Sequence, residues 1–369
     1  MGPPPPAPLP DEIVEEILLR LPASDPASLA RAAVARKRWF VALHRTPPML
    51  GFLCDPRGGD GFSARFVPTS SFRPRRAVQR SLRPEDARHG RVLLRYSPIM
   101  FGVVLNVPGL VVWDPMTEKN LVLPKPPGFC DKWNWKATVL CAAPAGTCNH
   151  HDCHRGPFVV VVVANYPNGI LSTVYSSQAG AWNKRIFAQN LRGRILRQEC
   201  RPALVGNALH YTFEREHKIL KYDLGTREFS VMEPPLLLSS QNFSPYQRIE
   251  LTTTEDDQLG LAVVSDSTLH ILSRDEEFGW GRSKIIYLKK WGLHVSTSTR
   301  PGLVAFAGDI GLAFLRVGNG IFSVNIKSPG VKKVYESSCI SCFIPYVNFC
   351  TPGTYLRRPE YLYSSTNLS

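Results

Sequence analysis

The chain has 369 residues, 44% hydrophobic and 20% charged, the composition of a folded globular protein and not of a disordered one. Its formal net charge of +14 leaves room for anionic partners. Its nine cysteines, an odd number in a chain that opens without a basic or long apolar leader, point to free thiols in a reducing compartment. No apolar run approaches the roughly 18 residues of a membrane span. No membrane partner is therefore expected, and the expected location is cytoplasmic and/or nuclear.

Residues 1–8 read as a disordered, proline-rich lead. A compact helical segment is expected over 9–48. Leu9-Pro10 opens it, with Pro10 where a first turn tolerates a missing N–H, and Asp11 and Glu12 follow where the helix dipole favours acids. Ile13, Val14, Ile17, Leu18 and Leu21 recur at helical spacing, and Pro22 ends the run. Asp25-Pro26 restarts it as a cap, Leu29 and Val34 make a second stripe, and Trp39, Phe40 and Leu43 a third. Three short stripes exceed what three short helices can bury, so apolar surface is left for a partner. The order Leu-Pro, Ile-Val, Ile-Leu, Arg-Leu-Pro, Leu, Val, basic-Trp resembles an F-box, with Ala35 where many F-boxes have cysteine. The resemblance implies that these residues grip a Skp-type adaptor and, through it, the cullin and RING subunits of a ubiquitin ligase.

From Arg57 to Arg95 ten arginines stand against three acids. A nucleic-acid surface needs aromatics interleaved with the cations or a known reading motif. Phe72 is the only aromatic at the dense Arg73–Arg80 part of the stretch, immediately before it, so a solvated basic linker or loop is expected and nucleic-acid binding is not.

From residue 49 onward short apolar runs alternate with Gly, Pro, Asn and Asp, the texture of many short strands. Val112-Trp113-Asp114-Pro115-Met116-Thr117 running to Pro126-Pro127 and Lys221-Tyr222-Asp223-Leu224-Gly225-Thr226 running to Pro234-Pro235 read as copies of one hairpin. Similar hairpins are expected at Val174–Trp182, Leu269–Trp280 and Phe322–Tyr335. Hairpin repeats near fifty residues predict a β-propeller of about six blades over 49–369. The expected fold class is therefore a small all-α unit followed by an all-β propeller. The whole order resembles plant F-box proteins with an F-box-associated or kelch-like propeller, which implies that the propeller reads a protein target.

Cys148-Asn149-His150-His151-Asp152-Cys153-His154 is the one metal-like run. Seven consecutive residues make poor tetrahedral geometry, so no metal is expected. If one bound, Cys148, His150, His151, Cys153 and His154 are the candidates, with Cys141 or Cys130 as a distant ligand. Cys339-Ile340-Ser341-Cys342 lacks the βαβ context of a redox pair and reads as two thiols beside a strand. No phosphate loop, nucleophile elbow or metalloprotease helix occurs, so no catalytic residue and no cofactor are expected. The expected function is substrate receptor of an SCF-type ligase, with a non-degradative binding or scaffold protein as the alternative. Nothing in the sequence marks which propeller residues touch a target.

Overall fold

The computed structural model describes residues 48–348, apart from 57–62, 97–98, 101–102, 105–108, 129–133, 144–146, 149, 151–152, 192–199, 215–217, 240–246, 255, 276, 294–299 and 338–339. The expected adaptor-binding residues, Leu9 to Leu43, lie outside the described residues. The expectation of an all-α unit ahead of an all-β one is corrected: the described chain is a six-bladed β-propeller with no α-helix, only short 3-10 turns.

Each blade is an antiparallel sheet whose strands run outward in chain order. Blade II holds Leu82–Arg88, Arg91–Tyr96, Leu110–Asp114 and Lys119–Leu123; blade III holds Trp135–Cys141, Phe158–Tyr166, Gly169–Ser176 and an outer edge split into Ala181–Trp182 and Ile186–Ala188. Blades IV, V and VI span 203–232, 249–287 and 302–336. Blade I is made from both ends of the described chain. Ile340–Val347 supplies its inner strand and pairs with Met49–Pro56, which is followed by Ser63–Pro68 and Val78–Arg80. The first strands of neighbouring blades meet around the centre.

Strand alternation explains the core. In Leu110–Asp114, Val111 and Trp113 face blade I while Leu110 and Val112 face blade III. In Phe158–Tyr166, Val160 and Val162 join the blade II side, Val161 and Val163 the blade IV side. A strand buried on both faces has no polar face to alternate, hence the unbroken valine run. Six apolar clusters lie one at each blade–blade interface.

The five expected hairpins are all third-to-outer-strand turns. Asp114 accepts hydrogen bonds from the Met116 and Thr117 amides and the Thr117 hydroxyl, Asp223 from the Gly225 and Thr226 amides, and Asp275 from the Glu277 and Phe278 amides. Four residues after Asp114, Ser176, Asp223 and Asp275 the backbone turns left-handed, at Glu118, Gly180, Arg227 and Gly279. The diproline exits also have a role. Trp182 Nε1 donates to the Pro124 carbonyl at 2.8 Å and Trp280 Nε1 to the Glu233 carbonyl at 3.1 Å, latching an outer strand to the preceding blade.

The arginine-rich stretch is loop only in part: Arg73, Arg75 and Arg76 are exposed in a loop of blade I, as expected, while Ser63–Pro68, Val78–Arg80, Leu82–Arg88 and Arg91–Tyr96 are strands of blades I and II, where much of the charge is paired. Arg83 meets Asp55 at 3.1 Å, and Arg95 meets Glu85 at 2.9 Å. Asp86 is fully buried and is held by Arg88 at 3.1 Å, Arg201 at 3.0 Å and the Val139 amide at 3.2 Å, which joins the inner strands of blades II and III to the entry of blade IV. Burial pulls the Asp86 carboxyl upward, but the guanidiniums of Arg88 and Arg201 prevail and hold it below the usual carboxylate range.

A carboxylate depressed in this way stabilises the fold above its unfolded pKa, and that stabilisation is lost as pH falls through the folded value. Asp86→Asn should therefore lower the unfolding free energy at neutral pH by about 2–3 kcal/mol, less than a fully buried pair because both arginines keep some contact with water. Urea denaturation at descending pH should show the gap between wild type and variant closing in acid; a gap that widens would contradict this account.

Candidate functional site

The turn joining the first two strands of blade II places His89 and Gly90 both at positive φ, 52° and 74°, the backbone of a two-residue hairpin. Gly90 is needed for a second reason. A Cβ there would lie 2.7 Å from Asn348 Nδ2 and 2.9 Å from His154 Cβ. Tyr346 of the closing strand donates its hydroxyl to the Gly90 carbonyl at 3.0 Å. Blades I, II and III thus converge on this turn.

An open groove of about 1260 Å³ lies here. Its walls are the Ser71–Arg75 loop of blade I, the Asp114–Leu121 hairpin of blade II and the His154–Phe158 segment of blade III. Arg73, Arg75, Arg91, Lys119 and Arg155 line it against two carboxylates, Asp114 and Glu118. Phe72, Met116 and Phe158 provide apolar floor. Arg91 is the buried cation: it donates to the Cys153 carbonyl at 2.6 Å and to the Gly156 carbonyl, and it lies 5.0 Å over the Phe158 ring. Its Nη1 is buried with no hydrogen-bond partner among the described residues, as is Glu118 Oε2, while Glu118 Oε1 accepts the Arg75 amide at 2.7 Å. The groove therefore combines an apolar floor with an excess of positive charge.

Behind the His154–Phe158 wall lies a cysteine–histidine cluster. Cys141, the last residue of the inner strand of blade III, meets Cys148, His150 and Cys153 from the loop that follows, and their donor atoms all fall within 4.8 Å of one another. Among the expected candidates, Cys148, His150 and Cys153 come together, and Cys141 joins them. His154 does not: it is buried with Nε2 4.0 Å from Asp114 Oδ2, on the groove side. His151, Cys130 and Cys339 lie outside the described residues, so only Cys342 of the second pair is placed, in the closing strand. His89 backs the cluster. Its ring stacks on His150 at 4.0 Å and 8°, and its Nδ1 accepts the Cys141 amide at 3.0 Å. Burial, then the neighbouring charges of His150 and Arg88, push the His89 pKa down to about 3, so this imidazole is neutral. Burial, then the nearby Cys141 and Cys148, push the Cys153 thiol up to about 12.

Sequence reasoning missed Arg91, Glu118 and the Ser71–Arg75 loop as parts of one groove. No short-range pattern links them; the arginine excess was the only signal present.

Residues 108–348 match the family described as F-box protein AT5G49610-like, beta-propeller. No curated protein matches the chain. Among solved structures, the extracellular domain of the putative one component system BT4673 from B. thetaiotaomicron is 13% identical with a TM-score of 0.35 over 70% of this chain, which spans 28% of that one. A chain of the Nidogen/Laminin complex is 10% identical with a TM-score of 0.42, covering 81% of this chain and 99% of that one. The Cps50 (Swd1) β-propeller domain of Myceliophteria thermophila is 12% identical with a TM-score of 0.39, covering 77% and 85%.

Asp114 anchors the groove through three hydrogen bonds in its own turn. Asp114→Ala should destabilise the protein by about 1–3 kcal/mol, since it strands buried donors. Thermal denaturation measures this directly, and an unchanged melting temperature would remove Asp114 from the structural role given to it.

Proposed function

Because the chain belongs to the F-box AT5G49610-like β-propeller family, we propose that it is a substrate receptor of an SCF-type ubiquitin ligase. The observation that carries the reading is the combination of that family match with the F-box-like sequence of residues 9–45 upstream of it. Residues Leu9 to Leu43 engage a Skp-type adaptor, and the propeller presents a protein target. The receptor itself is non-catalytic. It works by raising the effective concentration of target lysines near the charged conjugating enzyme. The protein works in the cytoplasm, the nucleus or both; among the described residues no helix is long and apolar enough to cross a membrane.

The groove at blades I–III is the target-binding surface in this reading. Five cations against two carboxylates favour an acidic segment.

Ile17→Asp or Leu18→Asp should abolish co-precipitation of adaptor and cullin while leaving the β-rich circular dichroism of the propeller unchanged, because an unpaired charge placed in an apolar interface costs several kcal/mol. Retained co-precipitation would refute the adaptor assignment. Partners bound through the groove should accumulate on proteasome inhibition and be lost in Arg73→Glu/Arg155→Glu, both exposed positions. Partners that bind but never accumulate would favour the non-degradative alternative.

A further inference from the structure

We propose that Cys141, Cys148, His150 and Cys153 form a structural zinc site that pins the loop after the inner strand of blade III against the turn of blade II. The objection that one short loop cannot wrap a metal does not apply to this geometry. Only three ligands come from the loop; the fourth is carried on a strand end, so the ligands belong to two segments.

The spacing fits the ion. Zinc bonds of about 2.3 Å to sulfur and about 2.0 Å to nitrogen, at a tetrahedral angle, place sulfur and nitrogen about 3.5 Å apart and two sulfurs about 3.8 Å apart. Cys153 Sγ and His150 Nδ1 are 3.6 Å apart. The widest separation in the cluster, 4.8 Å, exceeds the sulfur–sulfur edge by about 1 Å, a gap that small rotations of side chains on a loop can close. Three thiolates and one imidazole are a donor set that selects zinc over harder cations.

The surroundings fit bound thiolates as well. The Ala143 amide donates to Cys141 Sγ and the His150 amide to Cys148 Sγ, each at 3.4 Å and each from two residues downstream. Such outer contacts orient ligands and spread their charge. His89 stacks on the ligand imidazole and holds the Cys141 backbone. Binding expels the three thiol protons, and Zn²⁺ with three thiolates and a neutral imidazole carries one net negative charge. Arg91, donating to the Cys153 carbonyl, supplies the neighbouring positive charge.

The inference does not depend on what the groove holds. Full-length protein purified under reducing conditions from zinc-replete culture should contain close to one zinc per chain. Replacement by cobalt should produce the intense visible bands and sulfur-to-metal charge transfer of a tetrahedral thiolate site. Cys148→Ser should lose zinc by roughly tenfold or more, whereas His154→Ala should retain it, since His154 faces Asp114. A chelator should lower the melting temperature of wild type but not of Cys148→Ser. Zinc below one-tenth per chain, or zinc content unchanged in both Cys148→Ser and Cys141→Ser, would overturn the proposal. Should both serine variants fail to fold, the wild-type cobalt spectrum decides, and a spectrum without sulfur charge transfer rules the site out.

Discussion

Every blade of this protein is a sheet with two apolar faces, so no blade is stable until it has a neighbour on each side. The pairing of Ile340–Val347 with Met49–Pro56 is what meets that condition for the first and last blades at once. It brings Phe343 to 4.2 Å from Phe52 in a stacked pair and completes the cluster shared by blades VI and I. It also brings Tyr346 onto Phe66 and into the cluster shared by blades I and II. Without that strand two apolar faces open to water, and every other interface in the ring loses its closure.

Closure also explains where the polar chemistry lies. Tyr346 of the closing strand and Asn348 just past its end sit on the Gly90 turn of blade II. The same turn carries His89, the support for Cys141, and is followed at once by Arg91, whose guanidinium reaches the Cys153–Gly156 segment of blade III. Three blades therefore meet through two short turns and one loop. The groove and the cysteine–histidine cluster both form at this junction. A rigid junction is a better platform for recognition than a free loop, because less conformational entropy is lost when a target binds.

The centre follows a different rule. The first strands bury charged residues beside apolar ones: Asp86, Glu85, Lys136 and Glu250 are all buried there. Asp86 is shared by two arginines from different blades and by a backbone amide of a third segment. Glu250, with Arg248 as its cation at 2.6 Å, has its carboxyl raised, since burial there outweighs the pair. Similar residues at similar depth thus differ in sign because Arg88 and Arg201 both contact Asp86 directly, whereas of the cations near Glu250 only Arg248 touches it.

The hairpin repeats were legible because their determinants are local. An Asp or Ser at the third-strand end and a left-handed residue four positions on define four of the five turns within one short stretch, as at Asp114 and Asp223. The valine run at Phe158–Ala164 marked a doubly buried strand by the same local logic. Sequence by itself therefore determined a chain of repeated β-hairpins, and it drew attention to Cys148, His150 and Cys153. Only the tertiary structure decided which parts of the arginine-rich stretch are strand and which are loop, that 340–347 closes the ring onto 49–56, and that Cys141 rather than His154 completes the cluster. Those three facts depend on which distant strands become neighbours, and pairing between segments hundreds of residues apart leaves no periodicity for a sequence to display.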